Sequence, residues 1–360
     1  MKMRLPVWFL AGIVLVLAGQ GCVSLDGGNK SSTTGPAGMF LSADKGESWQ
    51  AISLLPLADG VKSLSAVDVY GVVEDPQDPQ SLYWLTRTQG LLYSYDGGRS
   101  WRQSVEPFNS GFVYSVAIHP QDKCTLLATN GRQIFKTVDC NRSWTEIYRE
   151  ADVSRSIRTV AYAPFSPHEI FAAESSGDIL KSEDSGQSWR LASEVGNELS
   201  RLFLDTNEAG LMYAASSKNG LYRSRDGGKT WVQIKNQLKQ FPKALEYRRM
   251  YLYPTRPGQL YWVSQYGILV SRNAGDDWES INLITPPGGV NIFGFAVNPK
   301  NDQEMYYSAT VGTRSTFYRS IDGGKNWVTR KMPSGQIPTF LRVQPETGGI
   351  YLGFSVPPKK

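Results

Sequence analysis

An eight-residue pattern, Ser/Thr-x-Asp-x-Gly-x-x-Trp, recurs seven times along the 360 residues of this chain and constrains its fold more than any other feature. The copies begin at Ser42, Ser94, Thr137, Ser182, Ser224, Ser271 and Ser320, 42 to 52 residues apart. They take up seven of the ten Trp: Trp49, Trp101, Trp144, Trp189, Trp231, Trp278 and Trp327. The acidic position is Asp44, Asp96, Asp139, Asp184, Asp226 and Asp322, with Asn273 in the sixth copy, and Asn141 replaces the Gly of the third. Both exchanges are mild, because Asn also tolerates left-handed backbone and also bonds turn amides. In each octet the carboxylate is expected to accept hydrogen bonds from turn amides, the Gly to take positive φ, and the Trp to pack where an outer strand begins. Like side chains, six carboxylates and one amide, spread round a repeat array do not converge on one substrate, so they read as structural rather than catalytic or metal-binding.

Upstream of each octet runs a second shared pattern: an apolar strand ending near Pro, a polar turn, another apolar strand, then a short Gly-led strand. VYSVAIHPQDKCTLLAT and IRTVAYAPFSPHEIFAA are two examples. Each unit of about 46 residues therefore supplies four strands, A to D, the size of one propeller blade. Residues 38–360 hold seven such units. The first octet has strands C and D with no A or B before it, whereas TFLRVQPETGGIYLGF at the C-terminus has A and B with no octet after it. The chain is thus expected to be all-β, a seven-bladed β-propeller closed by pairing of N- and C-terminal strands in one blade, with no open sheet edge. A monomer is expected.

The octet resembles the Asp-box, or BNR repeat, of bacterial sialidases, sortilin-type ectodomains, xyloglucan-cleaving enzymes and photosystem II assembly lipoproteins. The resemblance to lipid-anchored seven-bladed assembly factors, and more loosely to sortilin, covers nearly the whole chain after the leader. It implies a protein-binding or assembly scaffold, with contacts at an Arg-bearing face or peptide binding in the channel. The alternative is a carbohydrate-active hydrolase of the sialidase or xyloglucanase type. Sialidases carry an Arg-Ile-Pro motif that this chain lacks, and the xyloglucan enzymes join two propellers in about twice this length. The expectation is therefore a non-enzyme. No GxSxG, Walker or dinucleotide pattern is present, and no cofactor is expected.

Lys2 and Arg4, the apolar run from Leu5 to Gly19, and Gly21-Cys22 follow the order of an export signal. They resemble a bacterial lipoprotein signal, which implies cleavage after residue 21 and lipid on Cys22; an uncleaved anchor or plain secretion are the other readings. Residues 22–37 form a Gly-, Ser- and Thr-rich tether, leaving 38–360 as the propeller. The protein is expected outside the cytoplasm, lipid-anchored to a bacterial membrane or cell surface. Loss of residues 1–21 lowers the net charge from +5 to +3, which does not call for nucleic acid as a partner.

Cys124 and Cys140 fall in the A-to-B and C-to-D turns of one blade, at the same end of an antiparallel meander, and in an exported compartment they are expected to form a disulfide. The only two His, His119 and His168, sit beside Pro in A-to-B turns with no acidic cluster, so no metal site is expected. At the opposite end, the starts of the A strands read Tyr70, Tyr114, Arg158, Ser200, Arg248, Phe293 and Thr339, with Arg201 and Arg249 adjacent and Arg87, Lys218 and Arg314 in B-to-C loops. Aromatics and Arg are enriched at binding hot spots, so this channel mouth is the candidate site for a protein or peptide partner of the cell envelope. The bland reading is aromatics packed between blades and solvated Arg. Cys22→Ala is expected to move the protein from the membrane pellet to the soluble exported fraction; unchanged retention in the pellet would indicate an uncleaved anchor.

Overall fold

The computed structural model describes residues 34–356, so the leader and Cys22 lie outside the described residues. Seven four-stranded antiparallel sheets form the expected ring. Strands A, nearest the channel, are Gly71–Asp75, Ser115–His119, Ile157–Ala163, Leu199–Leu204, Tyr247–Leu252, Asn291–Asn298 and Ile337–Val343, in blades 1 to 7. Blade 7 takes A and B (Ile350–Ser355) from the C-terminus, and C (Gly38–Ser42) and D (Gln50–Ala51) from the N-terminal side. Its seam is in register from Gly38 opposite Phe354 to Ser42 opposite Ile350. The last four residues of the expected tether belong to this body. Ala37 is buried, Gly335 donates its N–H to the Thr34 carbonyl at 2.9 Å, and Gln336 Nε2 donates to Gly35 O at 2.9 Å.

Burial falls off radially, and the sequence pattern follows it. Strands B such as Met212–Ser216, Leu260–Ser264 and Ile350–Ser355 are buried at every position, because blades pack on both their faces. Strands D, such as Arg102–Gln103 and Glu279–Ser280, are short and exposed.

The octets build the C-to-D turns. Ser42 Oγ donates to Asp44 Oδ1 (2.7 Å), which also accepts the Ser48 N–H (2.8 Å), while Gly46 N donates back to Ser42 Oγ (2.8 Å). The same set recurs around Asp96, Asp184, Asp226 and Asp322. These hydrogen bonds, led by that from the Ser48 hydroxyl, hold Asp44 down at about 2. The sequence reading missed one feature: the residue before the Gly is left-handed too, with φ of 60° at Lys45 and 61° at Ser185. The Gly is also demanded by space. A Cβ at Gly186, Gly275 or Gly324 would come within 2.7 Å of Ile147, Ile234 or Ile281 of the preceding blade. Where Asn141 replaces the Gly, the facing slot holds Ser104 instead of Ile, and Ser104 Oγ donates to Asn141 Oδ1 at 2.6 Å.

Five of the seven octet Trp then bridge backwards, while Trp278 Nε1 donates to Gly275 O of its own turn and Trp49 Nε1 has no partner among the described residues. Trp101 Nε1 donates to Ile52 O (2.7 Å), Trp189 Nε1 to Ile147 O (3.1 Å) and Trp327 Nε1 to Asn282 O (2.7 Å), all on strand D, or its extension, of the previous blade. Trp101 is fully buried, whereas Trp231 is only partly so. Cys124 and Cys140 are disulfide-bonded, as expected. Trp101→Ala is expected to cost about 3–5 kcal/mol and Trp231→Ala about 2 kcal/mol, since the cost scales with buried volume that cannot collapse. Denaturant midpoints read this, and equal losses at the two sites would contradict the burial difference.

Candidate functional site

The A strands enclose a central cavity of about 510 Å³, lined by small and apolar side chains such as Ala117, Ala161 and Phe203 and by Arg201, Arg249 and Arg342. A guanidinium on such a wall must find acceptors. Arg249 donates to two backbone carbonyls, Phe293 O (3.3 Å) and Thr339 O (2.6 Å), and Arg201 to Tyr114 O (3.4 Å). Neither has a carboxylate partner among the described residues, so both keep their charge uncompensated. Tyr247 lies between them; burial pushes its hydroxyl up to about 12 against the pull of Arg201 and Arg249.

At the mouth, the predicted residues gather into two groups. Tyr70 meets Phe112 edge-on at 4.8 Å, and Phe112 stacks on Tyr114 at 4.0 Å. Arg87 and Arg201 lie over Tyr70 (5.2 and 5.9 Å), and Arg158 over Tyr114 (5.3 Å). Across the channel, Arg248 lies over Phe293 at 5.7 Å beside Arg249. All these aromatics are half-buried, so they are both blade packing and accessible surface. Arg314 stands apart on the exposed B-to-C turn of blade 6. Sequence reasoning missed Phe112, although it sits two residues before Tyr114, and missed that Asp68 pairs with Arg87 at 3.1 Å.

The opposite opening has different chemistry. A cavity of about 360 Å³ there is walled by Tyr251, Tyr253 and Tyr261, rimmed by Pro residues of A-to-B turns, and lined by Glu74, Glu346 and Arg342. Arg342 Nε contacts Glu74 Oε2 at 2.6 Å, yet burial outweighs that guanidinium and pushes Glu74 up. His119 packs edge-on against Tyr162 in an A-to-B turn, and no metal-ligand cluster occurs among the described residues.

One carboxylate is strongly perturbed. Glu174 ends strand B of blade 3, fully buried beside Glu150, with Arg155 reaching Asp178 at 2.5 Å and Glu174 at 3.7 Å. Burial, then the adjacent Glu150 carboxylate, push Glu174 up to about 8.

The fold and channel define a seven-bladed propeller with a cationic, aromatic mouth. No known family profile matches the chain. Among curated proteins, it is 25% identical over 281 residues to a xyloglucanase of Paenibacillus sp, covering 71% of this chain and 24% of that enzyme. It is 22% identical over 173 residues to the photosystem II assembly protein Ycf48 of Thermosynechococcus vestitus, covering 46% of this chain and 45% of that protein. Among solved structures, the GH74 xyloglucanase of Xanthomonas campestris superposes with TM-score 0.64 at 17% identity, over 80% of this chain and 51% of the enzyme. Ycf48 bound to D1 peptide superposes with TM-score 0.61 at 16% identity, over 82% of this chain and 94% of that one. The chain spans less than half the length of the curated relatives it matches. The xyloglucanase similarities overturn the expectation of a non-enzyme: they point to a possible glycoside hydrolase, at low identity.

Because Glu174 keeps a proton in the fold that the unfolded chain has released, its contribution is unfavourable above the unfolded value and grows as pH rises from about 4.5 to about 8. Glu174→Gln is expected to melt at the wild-type temperature at pH 5 and above it at pH 8.5. A difference that does not change with pH would assign the effect to packing.

Proposed function

We propose that this chain is an exported, membrane-tethered propeller that captures an extended protein segment across its arginine and aromatic mouth, as an assembly scaffold. The observation that carries this reading is the pair Arg201 and Arg249, held in the channel on backbone carbonyls with no carboxylate partner among the described residues. Such cations, flanked by Tyr70, Tyr114 and Phe293, offer charge-assisted bonds and ring faces to a ligand that brings its own carboxylates or carbonyls. The match to nearly all of Ycf48, seen with a D1 peptide, supports the same reading. The lipid on Cys22 and the envelope location belong to this proposal, and rest on the leader pattern alone.

The xyloglucanase relatives favour a second reading, glycoside hydrolysis. That chemistry needs two carboxyl groups with separated proton affinities. At the mouth, Asp68 is already paired with Arg87. At the opposite opening, Glu74 is raised by burial and the neighbouring Glu346 carboxylate adds to the rise, beside the partly exposed Tyr251 ring. Hydrolysis would therefore draw on Glu74 and Glu346.

The two readings separate with one set of variants. In a screen of acidic and neutral octapeptides, Arg158→Ala with Arg248→Ala is expected to weaken wild-type binding at least about fivefold, without changing the melting temperature. Unchanged peptide binding, together with reducing-sugar release from xyloglucan that is lost in Glu74→Gln and Glu346→Gln, would replace the scaffold reading with the hydrolase.

A further inference from the structure

Between strand D of blade 7 and strand A of blade 1 the chain inserts a β-hairpin, Leu54–Leu57 paired with Gly60–Ser63. Directly opposed residues of a hairpin share a face, so the pairs Leu54–Ser63 and Pro56–Val61 form one face, and Leu55–Lys62 and Leu57–Gly60 the other. Leu55 is buried, which turns the second face to the body and leaves the first outward. That outward face has no charge and, among the described residues, no side-chain partner: Leu54 is 52% and Val61 65% exposed, with Pro56 and Ser63 exposed as well. Both charged residues lie off it, Lys62 opposite Leu55 and Asp59 in the turn.

Single exposed aliphatics are ordinary on protein surfaces. Here three of the fifteen exposed large hydrophobics among the described residues, Leu54, Leu57 and Val61, fall within eight consecutive positions. Two-stranded hairpins are marginal alone, yet this one is held in shape. Leu64 N donates to Ser53 O and Trp101 N to Leu54 O, both at 2.8 Å, and Leu55 and Leu64 join the core around Trp101.

Its place in the ring says what covers it. As a D-to-A connection it lies at the mouth end, and the N-terminal segment joins the body at its base. A Cβ on Gly38, the first residue of the seam strand, would stand 2.8 Å from Ser53 Oγ and 2.9 Å from Leu64 O. The expected lipid attachment lies upstream of that entry. The connection after blade 4, by contrast, folds its apolar residue inward, burying Leu238 in the helical turn Lys235–Lys239.

We propose that the hairpin is a membrane-contacting element, its Leu54–Pro56–Val61 face resting in the headgroup and acyl boundary of a lipid bilayer and turning the mouth end toward the membrane. The inference rests on the tethered reading above. A face of three apolar residues is far below the roughly 800 Å² per partner of a stable protein interface, which excludes it as a free-standing docking site for a second protein. For a body already tethered, the high effective concentration makes so small a contact sufficient.

Thr33–Lys360 is one compact unit, so residues 1–21 can be exchanged for a hexahistidine tag in a Cys22→Ala background and the chain tethered to nickel-chelating vesicles of phosphatidylethanolamine and phosphatidylglycerol. An environment-sensitive fluorophore on Val61→Cys is compared with one on Ile321→Cys, which is 65% exposed in the blade 6 octet turn at the far end of the ring. Quenching by doxyl lipids at position 61 at least about threefold that at 321 is the expected result. Equal quenching at both positions, or none at 61, overturns the proposal. This tether does not depend on lipidation, so fractionation of Cys22→Ala cells tests the anchor separately from the hairpin.

Discussion

Everything in this ring depends on one short-range arrangement, the carboxylate and hydroxyl that close each C-to-D turn and thereby aim the Trp at the blade before it. A four-stranded blade cannot bury both faces of its central strand alone; it needs a neighbour on each side. The turn fixes two consecutive left-handed residues at low steric cost, the Gly of several blades admits a side chain of the preceding blade, and the N–H of Trp101, Trp189 and Trp327 satisfies a carbonyl at that blade's outer edge. Local hydrogen bonding thus becomes inter-blade packing. The contact also adapts: where Asn141 stands in place of the Gly, the Ser104 hydroxyl of the preceding blade bonds its side chain.

The ring then gives its two openings different chemistry from one strand pattern. At the mouth the A strands begin with Tyr, Arg and Phe, and the guanidiniums rest on carbonyls and ring faces. At the other end they finish near Pro, with Glu74 and Arg342 in contact and Glu346 nearby. A charge bonded only to carbonyl dipoles keeps its field for a ligand, whereas one bonded to a carboxylate largely spends it. This contrast, rather than the count of basic residues, favours the mouth for anionic or carbonyl-rich partners.

The architecture was legible because its determinants are local and repeated: the octet, the A-strand Pro and the split seventh blade each leave a mark in the sequence. The position of the mouth residues was legible for the same reason, since register carries over from blade to blade. What each side chain does there was not. Arg201 and Arg249 look alike in sequence to Arg87, yet only Arg87 meets a carboxylate, because Asp68 lies nineteen residues away across a blade. Glu174 gave no signal, since its neighbours Glu150 and Arg155 come from the connection between two blades. The rim hairpin was not legible, as its apolar residues do not alternate cleanly until the pairing register is known.

Similarity to proteins with one propeller and to enzymes with more chain than this has a physical basis in the same repeat. The turn and the Trp bridge specify how blades associate and leave the A-strand ends and the loops free to vary, so chains can share the ring without sharing a ligand. Discrimination must come from groups the ring does not require. The unpaired Arg201 and Arg249, the Glu74–Glu346 opening and the outward face of the hairpin are such groups. Two of them face the channel from opposite ends, and the third lies at the rim where the N-terminal segment enters.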